Sequence, residues 1–279
     1  MFPSLEHLRM AVTLMAISAV FFCSLALLVK GSQVFSDARR AASEIRLNLS
    51  WQALDFVLVG PALAVATTLL RKGIDAVALG VDSSAWSVLP NAATFVAVIV
   101  IGGFVSYWRH RLEHSHLLWP THAIHHSDTQ MSWLTLSRFH PINRLVTSCV
   151  DITVLGLLGF PAWALLANEI VRHHYGEFIH ADFPWTYGPL GRVFVSPAMH
   201  QWHHARDVKA YGSNFATVFS VFDQAFGTYM PGPCTSPLGV NENVGNGVTR
   251  QLLYPFMCWH RRVRSAYRRA RPVVRVEPT

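Results

Sequence analysis

The chain has 279 residues, of which 51% are hydrophobic and only 14% are charged, and its formal net charge is +7. Soluble domains usually carry about 25% charged residues, so this composition argues against a soluble protein and favours a membrane protein. The four cysteines show neither paired nor CxxC spacing, which excludes a disulfide framework and a zinc ribbon.

Three apolar runs predict membrane-spanning helices in the N-terminal part of the chain. Residues 10–29 carry no charge, and about 20 such residues are enough to cross a hydrocarbon core of roughly 30 Å. The length of this run favours a retained helix over a cleaved signal peptide. Residues 54–70 and 92–108 are the next two runs. The polar residues 31–50 between the first two runs include three arginines and predict a surface helix or loop.

Histidines are concentrated between His110 and His204, a region that holds 13 of the 15 in the chain. Spacings of three and four place side chains on one face of a helix, so each spaced block should direct its imidazoles toward one point. Neutral imidazole is a good ligand for Fe, Zn, Cu and Ni, and nine such ligands are too many for one ion. The sequence therefore predicts two adjacent metal ions. The blocks are His110 with His114, His122 with His125 and His126, and His200 with His203 and His204, and His180 precedes the last block.

Redox iron chemistry fits these blocks better than zinc chemistry does. A zinc peptidase would place glutamate directly after its first histidine, whereas Glu113 precedes the second histidine of its block. A zinc transporter would place ionisable ligands inside its spans, whereas these histidines follow the third span. A zinc hydrolase or another non-redox metal-binding membrane protein remains the alternative from a different class.

Several motifs extend beyond the histidines. They are Tyr-Trp-Arg-His-Arg-Leu-Glu-His (107–114), His-Ala-Ile-His-His-Ser (122–127), Arg-Phe-His-Pro (138–141), Ser-Pro-Ala-Met-His-Gln-Trp-His-His (196–204), Asn-Phe (214–215) and Phe-Asp-Gln-Ala-Phe-Gly-Thr (222–228). In order and spacing they resemble the fatty acid hydroxylase/sterol desaturase superfamily over residues 108–229, about half of the chain.

The resemblance implies a membrane-bound non-haem di-iron oxygenase that uses O₂ and two external electrons to hydroxylate a fatty acyl chain, a sterol or a lipid headgroup. Desaturation at the same site is the alternative reaction. A separate ferredoxin- or cytochrome-type donor with its reductase would supply the electrons, and zinc is able to replace iron at such a site. The implied ligands are His110, His114, His122, His125, His126, His180, His200, His203 and His204. Further ligands, or hydrogen-bond partners of ligands, would come from His140, His173, His174, Asp128, Asp182 and Asp223.

A fourth apolar run, residues 145–171, separates the first two histidine blocks from the last. One metal site cannot be assembled from both sides of a bilayer, so a single crossing here would separate its ligands. The break at Gly159-Phe-Pro161 instead predicts a re-entrant hairpin of two short helices. A glycosylation or cysteine-labelling map that placed residues 130 and 210 on opposite sides would contradict the hairpin.

The predicted fold is an all-α integral membrane protein. It has about three transmembrane helices, the re-entrant hairpin and a cytoplasmic, helical, histidine-rich cap. Membrane helices and an interfacial segment occupy residues 1–90, the catalytic domain 91–230 and a basic tail 231–279. The tail carries seven arginines between Arg261 and Arg275. Beside apolar segments, these arginines indicate contact with anionic lipid rather than nucleic acid. Arginine outnumbers lysine 20 to 3, which favours a bacterial protein. With three spans and the hairpin, the histidine region, the Arg39–Arg46 loop and the tail share one side, and because all three are basic we expect that side of the inner membrane to be cytoplasmic.

Overall fold

The computed structural model describes residues 4–77 and 80–270, and every regular element within them is a helix. Extended backbone pairs there only in two isolated antiparallel bridges. The predicted all-α class is confirmed. The α-helices are α1 (Leu5–Lys30), α2 (Gln33–Arg40), α3 (Ala42–Leu54), α4 (Gly60–Ala76), α5 (Asn91–Glu113), α6 (Trp119–His122), α7 (Pro141–Leu157), α8 (Ala162–His180), α9 (Pro197–His203), α10 (Val221–Ala225) and α11 (Val248–Ala270).

Three helices are long and apolar enough to cross a membrane: α1, the continuous helix Ala42–Ala76 and α5. The runs 10–29, 54–70 and 92–108 lie within them, so the prediction of three such helices is confirmed. The 26 residues of α1 extend about 39 Å, more than a hydrocarbon core of about 30 Å. Only 6% of its most apolar window is buried inside the protein, which leaves its surface available to lipid.

The helix Ala42–Ala76 contains one π-helical turn, Asp55–Val59, between α3 and α4. Pro61 follows this turn and lacks the N–H that a regular helix would require. The N–H of Gly60 instead donates to the carbonyl of Asp55, which widens the turn and accommodates the proline. The carboxylate of Asp55 accepts from the guanidinium of Arg144 in α7 at 3.1 Å.

Residues 31–50 form α2 and the beginning of α3, as their polar sequence predicts. This segment packs against the histidine-rich cap through several polar contacts. Asn48 donates to Asp128 at 2.8 Å, and Arg138 donates to Glu44 at 2.6 Å. The segment between the first two long helices and the cap therefore lie at the same end of the molecule.

The fourth apolar run is divided into α7 and α8 at the predicted break. Gly159 adopts a φ of 70° and Pro161 precedes the first residue of α8. The 17 residues of α7 and the 19 residues of α8 extend about 26 and 28 Å, each shorter than a hydrocarbon core. Both helices pack on α5, and the core between them contains Val98, Ile99, Val105, Leu155, Phe160 and Ala164. Membrane re-entry of this pair stays a prediction.

The C-terminal helix α11 is anchored to the cap at its beginning. The indole N–H of Trp51 donates to Gln251 at 2.7 Å, and Tyr254 packs with Ala123 and Val240. The arginines that follow lie mostly exposed along the second half of α11. Of the predicted basic tail, Arg271 and Arg275 lie outside the described residues.

Candidate metal centre

All nine histidines proposed as ligands meet in two adjacent clusters. In each cluster one ring nitrogen of every member lies within 4.8 Å of the others. Eight of the nine side chains are buried, and His114 is half-buried. The first cluster, called the five-histidine cluster below, contains His110, His114, His122, His126 and His203, and the second, called the four-histidine cluster, contains His125, His180, His200 and His204.

The histidines of one sequence block do not all belong to the same cluster. This corrects the expectation that each block directs all its imidazoles toward one point. His110 and His114, at the end of α5, do belong together, but His125 and His126 belong to different clusters. His203 and His204 diverge in the same way. Consecutive residues in a helical turn point about 100° apart, so adjacent histidines cannot converge on one ion.

Backbone carbonyls hold the rings in a defined tautomer. The Nδ1–H of His110 donates to the carbonyl of Phe215 at 2.7 Å, and that of His203 donates to Ser213 at 2.7 Å. The Nδ1–H of His180 donates to Gly176 at 2.6 Å. A carbonyl only accepts, so the proton of each neutral ring resides on Nδ1. Each Nε2 then presents a lone pair toward the cluster, the arrangement typical of metal-binding histidines.

The distances between Nε2 atoms fit a shared ion. The Nε2 atoms of His110 and His203 lie 2.9 Å apart, and those of His180 and His200 lie 3.0 Å apart. His110 and His203 both carry their proton on Nδ1, so their Nε2 lone pairs face each other and repel unless a cation lies between them. Two nitrogens about 2.1 Å from one ion and at right angles would be about 3.0 Å apart. The donor set and its spacing therefore fit a metal ion in each cluster.

Burial keeps these rings neutral. It lowers the pKa of His203 to about 3. Burial, followed by the neighbouring imidazoles, holds the pKa of His125, His126 and His204 well below the usual 6.5. Both ring nitrogens of His204, and Nε2 of His114 and His126, are buried without a hydrogen-bond partner. Buried polar atoms rarely stay unpaired, and metal coordination would satisfy them.

Two buried acids support the clusters in different ways. The carboxylate of Asp223 accepts from the backbone N–H of Phe215 at 2.8 Å and of Ala216 at 3.2 Å, so it holds the loop on which His110 is anchored. Asp128 accepts hydrogen bonds from Asn48 of α3 and from Thr135, so it joins α3 to the histidine-rich cap. Neither acid hydrogen-bonds a histidine of the clusters.

The remaining candidates lie outside both clusters. His140 caps α7, because its Nδ1 accepts from Ile142 and its Nε2–H donates to the carbonyl of Leu252, which uses both nitrogens. His173 and His174 are exposed on α8 beside Glu177. Asp182 is exposed and pairs with Lys30.

Two supporting residues were missed by the sequence reasoning. The Oδ1 of Asn143 accepts from Nδ1–H of His122 at 3.1 Å, and Glu113 lies 3.7 Å from the same nitrogen. Glu113 in turn accepts from Arg109 and Thr147. Its position one residue before His114 was a usable signal, since carboxylates often orient metal-binding imidazoles.

A cavity of about 230 Å³ adjoins both clusters. Its wall includes His110 and His122 from the five-histidine cluster and His125, His180 and His200 from the other. The rest of the wall is rich in ionisable side chains that the sequence reasoning also missed, namely Asp55, Arg109, Glu113, Arg144, Asp151, Glu169 and Arg172.

Comparison with known proteins locates the similarity in this region. The fatty acid hydroxylase family model matches residues 95–228, which contain all nine histidines. The chain is 34% identical over 170 residues, 60% of its length, to an ornithine lipid hydroxylase of Rhizobium tropici, and covers 51% of that protein. It is 27% identical to alkylglycerol monooxygenases of Danio rerio over 159 residues and Caenorhabditis elegans over 164 residues. Those alignments cover 56% and 57% of the chain and 35% and 32% of the relatives.

The chain thus spans about half or less of the length of the curated relatives that it matches. No solved structure matches it significantly.

Proposed function

This chain belongs to the fatty acid hydroxylase/sterol desaturase superfamily, and from that premise we propose that it is a membrane-bound di-iron oxygenase that hydroxylates a lipid. The observation that carries the proposal is the pair of adjacent, buried histidine clusters, with four and five ligand nitrogens. One ion in each cluster would form a dinuclear centre, since His122 and His125 lie one helical turn apart and contribute to different clusters.

In the proposed reaction a C–H bond of the lipid becomes C–OH. The second oxygen atom of O₂ leaves as water, which consumes two electrons and two protons. Bound iron would supply the activation of O₂ and the oxidising power. The nine imidazoles would hold the two ions, and the carbonyls of Phe215, Ser213 and Gly176 would keep three of those rings oriented. A separate ferredoxin- or cytochrome-type protein would deliver the electrons.

Hydroxylation is the better-supported reaction, since three of the most similar relatives are a hydroxylase and two monooxygenases by name. These three proteins act on an ornithine lipid or on alkylglycerols by name, which supports a polar glycerolipid or aminolipid as the substrate class. Desaturation would differ in its product, which loses two hydrogens instead of gaining one oxygen.

The metal centre is proposed to face the cytoplasm of a bacterial inner membrane. Three crossings place the segment 31–50 and the cap on one side, and the contacts Arg138–Glu44 and Asn48–Asp128 support that arrangement. The arginines of residues 31–50 and of α11 make that side basic, as cytoplasmic faces are. The pair α7 and α8 would enter the membrane and return.

Single-cysteine labelling in a cysteine-free background tests this topology. Cysteines at Gln130 and Tyr211 should be labelled from the cytoplasmic side, and one at Ser87, between α4 and α5, from the opposite side. Labelling of positions 130 and 211 from opposite sides would contradict the re-entrant pair.

The activity is tested with purified iron-loaded protein, a chemical or ferredoxin reductant, bacterial lipid extract and ¹⁸O₂. The expected product is a lipid that carries one ¹⁸O atom. His203→Ala should abolish it, whereas His7→Ala, a histidine exposed at the start of α1, should not. Zinc as the sole tightly bound metal, with no O₂ consumption after iron loading, would favour a non-redox metal protein instead.

A further inference from the structure

A third group of metal-binding side chains lies on α8, outside both histidine clusters. His173 and His174 are exposed, whereas Glu177 is only 8% exposed. Spacings of four and three residues place both imidazoles beside the carboxylate, about one turn along the helix. One nitrogen of each ring and one carboxylate oxygen all lie within 4.8 Å of one another. These three side chains are called the α8 group below.

The carboxylate of Glu177 is buried without a permanent cation beside it. It accepts from Nδ1–H of His174 at 3.0 Å and from the hydroxyl of Ser18 in α1 at 3.4 Å, and Nε2 of His173 lies 3.7 Å away. Within residues 4–77 and 80–270 no lysine or arginine forms an ion pair with it. Neutral imidazoles donate hydrogen bonds but carry no charge, and a buried carboxylate without a compensating charge is costly. A divalent cation between the three side chains would supply that charge.

The distances within the α8 group fit one ion. Two ligand atoms that are each about 2.1 Å from a tetrahedral zinc ion lie about 3.4 Å apart. The distances from the carboxylate oxygens of Glu177, 3.0 Å to His174 and 3.7 Å to His173, bracket that value. The ring nitrogens lie within 4.8 Å of each other, and small rotations of the two exposed rings would bring them closer. A bound ion would replace the proton between His174 and Glu177, and the neutral ring would then carry its proton on Nε2.

We propose that His173, His174 and Glu177 form a third metal site, separate from the two histidine clusters, that binds a transition-metal dication such as Zn²⁺. Imidazole is a good ligand for zinc, copper, nickel and iron, whereas magnesium and calcium prefer oxygen ligands, so two imidazoles select the first class. Three protein ligands leave one tetrahedral position for water or an anion. The site does not depend on the proposed oxygenase reaction.

The α8 group lies between the edge of the cavity and the first long helix. His173 and Gly176 belong to the cavity wall, and Glu177 contacts Ser18 of α1. Glu169 is exposed one turn before His173 and adds a second negative charge on the same face of α8. A bound cation would therefore reduce the negative charge of α8 at the edge of the cavity.

Zinc content is measured by equilibrium dialysis and elemental analysis of the full-length protein in detergent, at micromolar free Zn²⁺ and neutral pH. The matched variant is His173→Gln/His174→Gln, which changes two exposed side chains and should fold like the wild type. Both proteins keep the nine histidines of the clusters. We therefore expect the wild type to bind one zinc ion more than the variant. Equal zinc content would overturn the inference.

Two carboxylate variants test the third ligand. Glu177→Gln keeps the size of the side chain and an acceptor for Ser18, but it removes the anionic ligand. Loss of a group that only orients a ligand costs about 10–100-fold in metal affinity, so this variant should bind the additional ion at least about tenfold more weakly. Glu169→Gln removes a charge one turn away and should weaken binding less. Equal losses would show that general negative charge attracts the ion, and would overturn the site.

Chemical modification identifies the histidines that bind the additional ion. Diethyl pyrocarbonate acylates accessible neutral imidazoles, and mass spectrometry of the digested protein reports which residues are modified. Zinc should protect His173 and His174, whereas His7, exposed at the start of α1, should stay reactive. Equal protection of His7, or no protection at positions 173 and 174, would overturn the inference. Neither measurement uses O₂ or iron, so both are independent of the ¹⁸O test of the proposed function.

Discussion

A methyl group added at Gly159 should damage the turn that brings α8 back toward the histidine-rich cap. The φ of this residue is 70°, which costs a residue with a side chain about 1–2 kcal/mol. A Cβ here would also lie 2.2 Å from the backbone carbonyl oxygen of Val81. That backbone would have to move by about 1 Å, although the N–H of Val81 is bound to the carbonyl of Leu157 at 2.8 Å. Overpacking of this kind costs about 1–3 kcal/mol.

Gly159→Ala should therefore lower the free energy of unfolding by about 2–5 kcal/mol. At about 3 °C per kcal/mol, the Tm in detergent should fall by roughly 6–15 °C. Two other glycines provide graded controls. Gly188 has a φ of 51° and open space around its Cβ position, so Gly188→Ala should lose only about 1–2 kcal/mol. Gly73 is helical with open space, so Gly73→Ala should gain up to about 1 kcal/mol.

Thermal unfolding of the three variants is followed by circular dichroism. The comparison separates the loss of stability caused by the positive φ from the loss caused by the contact between the new Cβ and Val81. If Gly159→Ala melted at the same temperature as Gly188→Ala, the contact with Val81 would not constrain the turn. The proposed cause of the helix break would then be wrong.

Three further predictions concern single buried contacts. Asn143→Leu removes the acceptor for Nδ1–H of His122 and should weaken metal binding by the five-histidine cluster about 10–100-fold, as measured by metal titration. Trp51→Phe leaves the buried side-chain amide oxygen of Gln251 without its donor. The free energy of unfolding, measured with denaturant, should fall by about 1–3 kcal/mol. Burial raises the pKa of Asp223 from 3.8 to about 6, so its ionisation opposes folding as the pH rises from 4 to 7. Over that range the wild type should lose about 2 kcal/mol of stability that Asp223→Asn does not lose.

Each of these has a matched control. Asn143→Asp keeps an acceptor and should retain the metal, and loss equal to that in Asn143→Leu would contradict the role of the hydrogen bond. Trp259→Phe removes an exposed indole contact to Leu117 and should cost less than Trp51→Phe. Parallel stability curves of the wild type and Asp223→Asn between pH 4 and pH 7 would show that Asp223 releases its proton at the same pH in the folded and unfolded states.

The long helices could be predicted because each contains about 20 consecutive apolar residues, a pattern that needs no tertiary information. The apolar pattern alone does not predict their ends. The third apolar run ends at Trp108, but helix α5 continues to Glu113, as the one-turn spacing of His110 and His114 predicts. The charged residues Arg109 and Glu113 lie beyond the apolar run, and in the folded protein they pair at 2.9 Å and are both buried. Paired charges are far less costly to bury than isolated ones.

The nine histidines could be proposed as ligands from spacing and resemblance. Adjacent histidines must diverge in a helical turn, but which histidines of different blocks share a cluster could not be predicted. The division depends on how far α6 and the short 3₁₀ turn His125–Ser127 rotate the chain between His122 and His126. His140 was considered a possible ligand because it lies in the motif Arg-Phe-His-Pro, but the structure places it outside both clusters. Its two nitrogens are instead used by the first turn of α7 and by α11.

The charged cavity was the feature most hidden in the sequence. Asp151 lies inside the fourth apolar run, and Arg172 directly follows that run. Ionisable residues in apolar segments indicate functional sites, but their partners cannot be read from one chain segment. In the structure Asp151 of α7 accepts from Arg109 of α5 and from Arg172 of α8, so a single carboxylate joins three helices. The same ion pairs neutralise charge inside an apolar bundle and line the space beside the histidines. An apolar replacement of Asp151 would leave Arg109 and Arg172 without this buried partner, so it should lower the free energy of unfolding.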